Sequence, residues 1–262
     1  MAADEAGRRP TVAEVRAVGQ PPEVLARRSE EHWTGTLYMR RISPFFTWLA
    51  LRAGLSANSV TVIMIMVGIV GVAVATLPGV APAVAALIAI QLYLLLDCVD
   101  GEVARFNATT GARGVYLDRL GHYLVEGGLM VAVGIRASGG DETWVIVGMA
   151  AAIGVLLEKA ETDLVPASRL RSGFGPAPAE ADEITGSGLA RVRSMARLAP
   201  IHMVTHAAEA TLLILAAAIA DEIAESMRFG RALAVTMLSI TSVVVVLHLV
   251  SIWRSRRLDQ NP

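Results

Sequence analysis

Six apolar stretches constrain the fold of this chain more than any other feature of its sequence. They occupy residues 59–77, 81–96, 114–137, 144–157, 201–220 and 233–253. Over 262 residues the chain is 54% hydrophobic with a mean hydropathy of +0.53, which is too apolar for a typical soluble domain. Because a helix of about 20 apolar residues crosses a bilayer, the sequence predicts an all-α polytopic membrane protein with six transmembrane helices.

The segments before these stretches are polar or amphipathic. Residues 1–22 carry several charges and prolines, which predicts a mobile N-terminal tail. Residues 23–55 mix aromatic residues with arginines at helical spacing, which is typical of an interfacial amphipathic helical segment, and Pro44 favours a break in it. The alternative is a soluble helix that packs on a cytosolic partner. The six-helix transmembrane catalytic domain is then predicted at 56–258, with a polar cytoplasmic loop at 161–200.

Basic residues lie mainly in the segments that six membrane crossings would place on one side. The opposite side holds a short turn and only three basic residues, Arg136, Arg228 and Arg231. By the positive-inside rule, we expect both termini to be cytoplasmic and the protein to lie in the cell (inner) membrane. Residues 1–36 contain no apolar core of the length that a cleavable signal peptide needs. The net charge of −1 predicts no nucleic-acid partner.

Acidic residues and a histidine cluster where the second apolar stretch ends and the third begins. Asp97 and Asp100 close one stretch, and Asp118 and His122 open the next. Residues three or four apart share one face of a helix, so each pair projects together. Charged groups at a membrane boundary are costly unless they are compensated. The sequence therefore predicts a divalent-cation site, in which carboxylates favour Mg²⁺ or Mn²⁺ and the imidazole widens the choice towards softer metals.

The spacing of these residues resembles the signature of the CDP-alcohol phosphotransferase family, Asp-x2-Asp-Gly-x2-Ala-Arg-x8-Gly-x3-Asp-x3-Asp. The matching positions are Asp97, Asp100, Gly101, Ala104, Arg105, Gly114 and Asp118. The last position departs from the signature, because His122 stands where the family has its fourth aspartate. If the acids were ordinary helix-end residues at the interface, the accompanying glycines, alanine and arginine would have no explanation. The resemblance covers about residues 56–160.

This resemblance implies an enzyme of phospholipid biosynthesis in the lipid bilayer. It would transfer a phosphoryl-alcohol group, most often phosphatidyl, from a CDP-alcohol such as CDP-diacylglycerol to an acceptor alcohol and release CMP. The implied cofactors are two divalent cations, Mg²⁺ or Mn²⁺, with Asp97, Asp100 and Asp118 as core ligands and His122 at the fourth position. A homodimer is also implied by the resemblance.

The resemblance further implies which residues contact the CDP moiety. They are Asn58, Thr61, Gly101, Ala104, Arg105 and Gly114. Asn58 and Thr61 belong to a corner that resembles the family's Pro-Asn-x-x-Thr, with Ala57 in place of proline; capping the helix is the alternative role for Asn58. Gly101 and Gly114 would let the backbone and the nucleotide approach closely. Arg105 would bind the pyrophosphate, and an interfacial arginine is the alternative.

The role of His122 is open between three alternatives. The first alternative is a general base for the acceptor alcohol, since an imidazole can accept a proton at about pH 7. The second alternative is a metal ligand; Glu126, one turn further on the same face of the helix, would then serve as the base. The third alternative is that His122 marks a degraded, inactive site. Lys159 falls where family members often carry a basic residue that touches the acceptor, and a snorkelling interfacial lysine is the alternative.

A second function follows from the altered fourth position. The chain would then be a catalytically silent homologue that binds a CDP-lipid or scaffolds membrane partners. A transporter is disfavoured, because the sequence lacks inverted internal repeats and paired helix-breaking residues in matching halves. The identity of the acceptor does not follow from the sequence.

Overall fold

The computed structural model of this protein describes residues 10–25, 33–175 and 201–259, and every element within them is helical. This confirms the predicted all-α class for the described part of the chain. The helices are α1 (Val12–Gly19), α2 (Pro22–Leu25), α3 (Arg40–Arg52), α4 (Ala57–Ala75), α5 (Val80–Phe106), α6 (Ala112–Ser138), α7 (Glu142–Arg171), α8 (Ala207–Ile223) and α9 (Arg228–Arg254). A π-helical turn, Gly35–Met39, leads into α3.

Four of these helices, α4, α5, α7 and α9, are long and apolar enough to cross a membrane. Two others lie where the sequence also predicts spans. Ionisable residues such as Arg119, Glu126 and Arg136 interrupt the apolar character of α6, and α8 is only 17 residues long. A count of six spans therefore stays a prediction.

The fourth predicted span is longer than its apolar stretch. The hydrophobic pattern ends at Leu157, but α7 continues through Pro166 to Arg171. The helix ends before Gly173, which adopts a φ of +78° that disfavours other residues. The loop predicted from residue 161 thus begins about three helical turns later, after Arg171. Residues 176–200 of that predicted loop lie outside the described residues.

The predicted N-terminal tail contains a capped helix. Thr11 and Glu14 form a reciprocal capping box at the start of α1, with the Thr11 amide donating to the Glu14 carboxylate at 2.7 Å. Val15 is fully buried. The cap and the buried valine explain why this segment is ordered despite its polar composition. Residues 1–9 of the predicted tail and residues 26–32 of the interfacial segment lie outside the described residues.

Helix α3 continues through Pro44, so the predicted break does not occur there. Proline has no amide hydrogen and leaves the carbonyl four residues earlier without its helical partner. That carbonyl belongs to Arg40, and it accepts a hydrogen bond from Gln20 Nε2 at 2.8 Å. The side chain at the end of α1 therefore compensates for the proline.

The chain divides into two compact units. The first comprises Met1–Val72 and Ala85–Val125, and the second comprises Ala73–Val84 and Glu126–Pro262. Within the first unit, buried side chains from α3, α4 and α5 form a hydrophobic cluster, namely Ala50, Val60, Val99 and Val103. This cluster packs the motif-bearing end of α5 against its neighbours.

In the second unit, α6 and α7 approach closely at a pair of glycines. A Cβ atom added at Gly134 would lie 2.8 Å from the Cα atom of Gly148, so only glycine permits this approach. Arg136 donates hydrogen bonds to the carbonyls of Leu77 and Gly79 and so closes the turn between α4 and α5. Asp141 caps α7 by accepting from the Thr143 amide at 3.0 Å.

Candidate metal centre and its surroundings

Helices α5 and α6 bring Asp97, Asp118 and His122 together in the first unit. One ligand atom from each lies within 4.8 Å of the others. His122 Nε2 lies 3.4 Å from Asp97 Oδ1 and 3.5 Å from Asp118 Oδ1. All three side chains are partly exposed, which leaves the centre open to a ligand. The spacing seen in the sequence thus corresponds to one three-residue centre.

The geometry of this centre fits a divalent cation. Adjacent ligands of an octahedral ion with bonds of about 2.1 Å lie about 3 Å apart. The two distances from His122 Nε2 exceed this by only a few tenths of an ångström, so small side-chain movements would suffice. The two carboxylates suit Mn²⁺ and Mg²⁺, and the imidazole nitrogen adds affinity for softer ions. Within the described residues, this is the group that meets the distance condition.

Asp100 lies outside this group in the structure. Its side chain is nine-tenths buried, and its Oδ2 accepts a hydrogen bond from Thr61 Oγ1 at 2.6 Å. Thr61 itself is 2% exposed. The threonine therefore orients a carboxylate, a role that the sequence did not reveal. Direct contact of Thr61 with CDP and ligation of a metal by Asp100 both stay predictions.

Tyr93 is a further site residue that sequence reasoning missed. It is fully buried, and its hydroxyl lies 3.0 Å from His122 Nδ1. With Nδ1 engaged, the other ring nitrogen is the one that faces the two carboxylates. The only signal in the sequence is that Tyr93 precedes Asp97 by four residues, which places the two on one face of α5.

Arg105 and Gly101 pack on each other, one helical turn apart. A Cβ atom at Gly101 would lie 3.1 Å from Arg105 Nη1, so the glycine makes room for the guanidinium. This is a different reason for the glycine from the predicted approach of a nucleotide. Arg105 Nε donates to the carbonyl oxygen of Gly19 at 2.6 Å. The predicted pyrophosphate ligand is therefore held by the end of α1.

The start of α4 faces the start of α6. The amide of Ser59 donates to Ser56 Oγ at 3.1 Å, so Ser56 fills the capping role that was the alternative for Asn58. A Cβ atom at Gly114 would lie 3.5 Å from Asn58 Oδ1. The structure brings these two predicted nucleotide contacts together. Ala104, the remaining one, is partly buried on α5.

The sequence model of the CDP-alcohol phosphatidyltransferases matches residues 55–178. This part of the chain belongs to the CDP-alcohol phosphatidyltransferase family. The match includes α4, α5 and α6 with every motif position described above. No curated protein matches the chain.

Family membership implies transfer of a phosphoalcohol group from a CDP-alcohol. CDP-alcohol phosphatidyltransferases use divalent metals, which agrees with the centre of Asp97, Asp118 and His122. This member has an imidazole at the fourth motif position and a buried tyrosine, Tyr93, behind it. The altered position is thus part of a structured site.

The two residues predicted near the acceptor form an ion pair in the second unit. Lys159 Nζ lies 2.9 Å from Glu126 Oε2, and Glu126 is 2% exposed. The lysine supplies a counter-charge to the buried Glu126 carboxylate. On the same helix as Lys159, Glu161 lies 3.2 Å from His248 Nδ1. Roles for Glu126 and Lys159 towards the acceptor stay predictions.

Proposed function

We propose that this CDP-alcohol phosphatidyltransferase moves a phosphatidyl group from CDP-diacylglycerol to an acceptor alcohol and releases CMP. The observation that carries the proposal is the convergence of Asp97, Asp118 and His122 at the positions of the family motif. A carboxylate cluster repels a pyrophosphate, so the acids must act through cations. The reaction would belong to phospholipid biosynthesis.

In this proposal Asp97, Asp118 and His122 would hold a divalent cation, Mg²⁺ or Mn²⁺. Asp100, oriented by Thr61, would contribute to a second cation. Bound cations would neutralise the pyrophosphate and stabilise the leaving CMP. Arg105 would bind the pyrophosphate directly, and Asn58 with Gly114 would border the nucleotide. The ion pair of Lys159 and Glu126 would meet the acceptor.

We assign His122 a ligand role through Nε2. The support is that Nε2 faces both carboxylates, while Nδ1 is engaged by Tyr93. An imidazole used this way is commonly oriented by a partner at its other nitrogen. If His122→Ala abolishes turnover but leaves the Mn²⁺ affinity unchanged, the histidine is a general base instead.

The proposed setting is the cell (inner) membrane, with six spans, cytoplasmic termini and the site facing the cytoplasm. The support is the distribution of arginines along the chain. We also propose that the enzyme is a homodimer. Light scattering of the protein in detergent would test this, and a single-chain mass would contradict it.

The decisive experiment measures CMP release from CDP-diacylglycerol by the purified protein. The assay contains Mg²⁺ or Mn²⁺ and a panel of acceptor alcohols. We expect metal-dependent release that Asp97→Asn and Asp118→Asn each reduce by more than about a hundredfold, beyond the ~10–100-fold cost of losing a residue that only hydrogen-bonds to a metal ligand. Asp141→Asn is the matched control, because Asn also caps helices well. Retained turnover in either site variant contradicts the proposal.

The altered fourth position supports a second candidate function, a silent homologue that binds CDP-lipid. It predicts that the wild type releases no CMP with any acceptor. It also predicts that His122→Asp, which restores the family signature, gains turnover. Turnover by the wild type would rule this candidate out.

A further inference from the structure

Glu102 is a buried carboxylate that the proposed reaction does not use. It lies inside the motif on α5 and is fully buried. Its Oε1 accepts hydrogen bonds from Gln20 Nε2 at 2.8 Å and from Ser43 Oγ at 2.5 Å. Its Oε2 accepts one from Thr47 Oγ1 at 2.6 Å. A single side chain of α5 is thus bound to the end of α1 and to two turns of α3.

The surroundings of Glu102 compensate its charge. Arg40 Nη1 lies 3.6 Å from Glu102 Oε1 and supplies a positive charge. Burying a carboxylate away from water costs free energy unless hydrogen-bond donors and a counter-charge surround it. Here both oxygens have donors, so the network is rigid rather than strained. The backbone is also close, because a Cβ atom at Gly19 would lie 3.1 Å from the Glu102 Cβ atom.

The same contact region holds Arg105. Gly19, whose carbonyl oxygen accepts from Arg105 Nε at 2.6 Å, directly precedes Gln20, which donates to Glu102. The carbonyl of Gly19 holds Nε of the guanidinium, and the missing side chain of Gly101 leaves room for its terminal nitrogens. The position of Gly19 therefore determines where the terminal nitrogens of Arg105 point.

We propose that Glu102 is a positioning residue for donor binding. It holds the Gly19–Gln20 end of α1 on α5, so that the Gly19 carbonyl presents Arg105 in the orientation that binds the pyrophosphate of CDP. Fixing a long side chain before the ligand arrives lowers the entropic cost of binding. The inference rests on the proposed function, since it takes Arg105 as a pyrophosphate ligand.

The test compares Glu102→Gln with the wild type in CDP affinity. Glutamine keeps the volume but removes the charge and replaces one acceptor oxygen by a donor. Isothermal titration of CDP into the detergent-solubilised protein with Mn²⁺ gives Kd without turnover. We expect Kd for CDP and KM for the donor to rise about tenfold, as for the loss of one well-oriented charge-assisted hydrogen bond, with kcat nearly unchanged.

A double-mutant comparison separates positioning from general stability. If Glu102 acts through Arg105, then Arg105→Ala and the double variant Arg105→Ala/Glu102→Gln bind CDP equally weakly. Trp48→Phe is the matched control. It removes the hydrogen bond from Trp48 Nε1 to the Pro10 carbonyl at 2.9 Å, at the other end of α1, and should leave CDP affinity unchanged.

Three results would overturn the inference. The first is an unchanged CDP affinity in folded Glu102→Gln. The second is a loss of CDP affinity in the double variant that equals the sum of the losses in the two single variants. If Glu102→Gln does not fold, Gln20→Leu replaces it, because this variant leaves Ser43 and Thr47 to satisfy the carboxylate. The third result that would overturn the inference is an unchanged CDP affinity in Gln20→Leu. A wild-type protein that binds no CDP would instead contradict the proposed function itself.

Discussion

Tyr93→Phe probes the candidate metal centre most sharply, because it removes only the hydroxyl group that contacts His122 Nδ1. The Tyr93 hydroxyl lies 3.0 Å from His122 Nδ1, and its ring packs edge-on against the imidazole with centroids 5.8 Å apart. Phenylalanine keeps this packing. The variant therefore isolates the hydrogen bond that holds the imidazole in place.

The expected magnitude follows from the loss of one neutral hydrogen bond. Such a bond contributes about 0.5–1.5 kcal/mol, and 1.4 kcal/mol corresponds to a tenfold change in an equilibrium constant. Tyr93 is 0% exposed, so water does not readily replace its hydroxyl. We expect the Mn²⁺ dissociation constant to rise about tenfold, at the lower end of the ~10–100-fold range for residues that hydrogen-bond to metal ligands.

The assay is electron paramagnetic resonance of free Mn²⁺ during titration of the purified protein. The signal of the free ion gives the dissociation constant without substrate or turnover. Tyr116→Phe is the control, because Tyr116 lies on α6 in the same unit and is 67% exposed. It should bind Mn²⁺ as the wild type does.

An Mn²⁺ affinity within about twofold of the wild type in folded Tyr93→Phe would refute this reasoning. Either His122 is then not a ligand, or its orientation does not depend on the tyrosine. Equal weakening in Tyr116→Phe would show that the loss is not specific to the centre.

Three other substitutions test separate features. Thr61→Val removes the donor to Asp100, so CMP release should fall by about tenfold or more while Thr61→Ser restores it, because bonds to charged groups contribute about 1.5–3 kcal/mol. Gly134→Ala places a Cβ atom 2.8 Å from the facing α7 glycine, so thermal unfolding should show a loss of about 1–3 kcal/mol. Hydrogen bonding by Thr143 holds the pKa of Asp141 below its ordinary 3.8. The stability lost in Asp141→Ala should therefore be constant between about pH 5 and 8 and vanish in acid, as thermal melts would show.

The clustering of Asp97, Asp118 and His122 was largely predictable because its determinants are local. Spacings of three and four residues place Asp118 and His122 on one face of a helix whatever the rest of the chain does. Apolar length likewise predicted helices at all six stretches. The end of α7 was not predictable in this way, since hydropathy falls at Leu157 and Pro166 disfavours a helix, yet α7 continues to Arg171.

The contacts around the centre were not predictable, because they join residues far apart in the sequence. Thr61 and Asp100 meet through the packing of α4 on α5, and no local pattern assigns a hydroxyl to a carboxylate. Pro44 shows the same limit. The sequence indicated a break, but the carbonyl that the proline leaves unpaired is satisfied by Gln20 from another helix.

By itself, the sequence determined that this chain is helical and apolar, and that it carries the motif residues of the CDP-alcohol phosphatidyltransferase family. Periodicity and composition act within one helix, so they can be recognised in the amino-acid sequence itself. Tertiary structure alone decided that Tyr93 holds His122 and that Glu102 binds α1 and α3 to the motif. Those choices depend on which helices pack together, since a hydrogen bond needs both partners within about 3 Å in space.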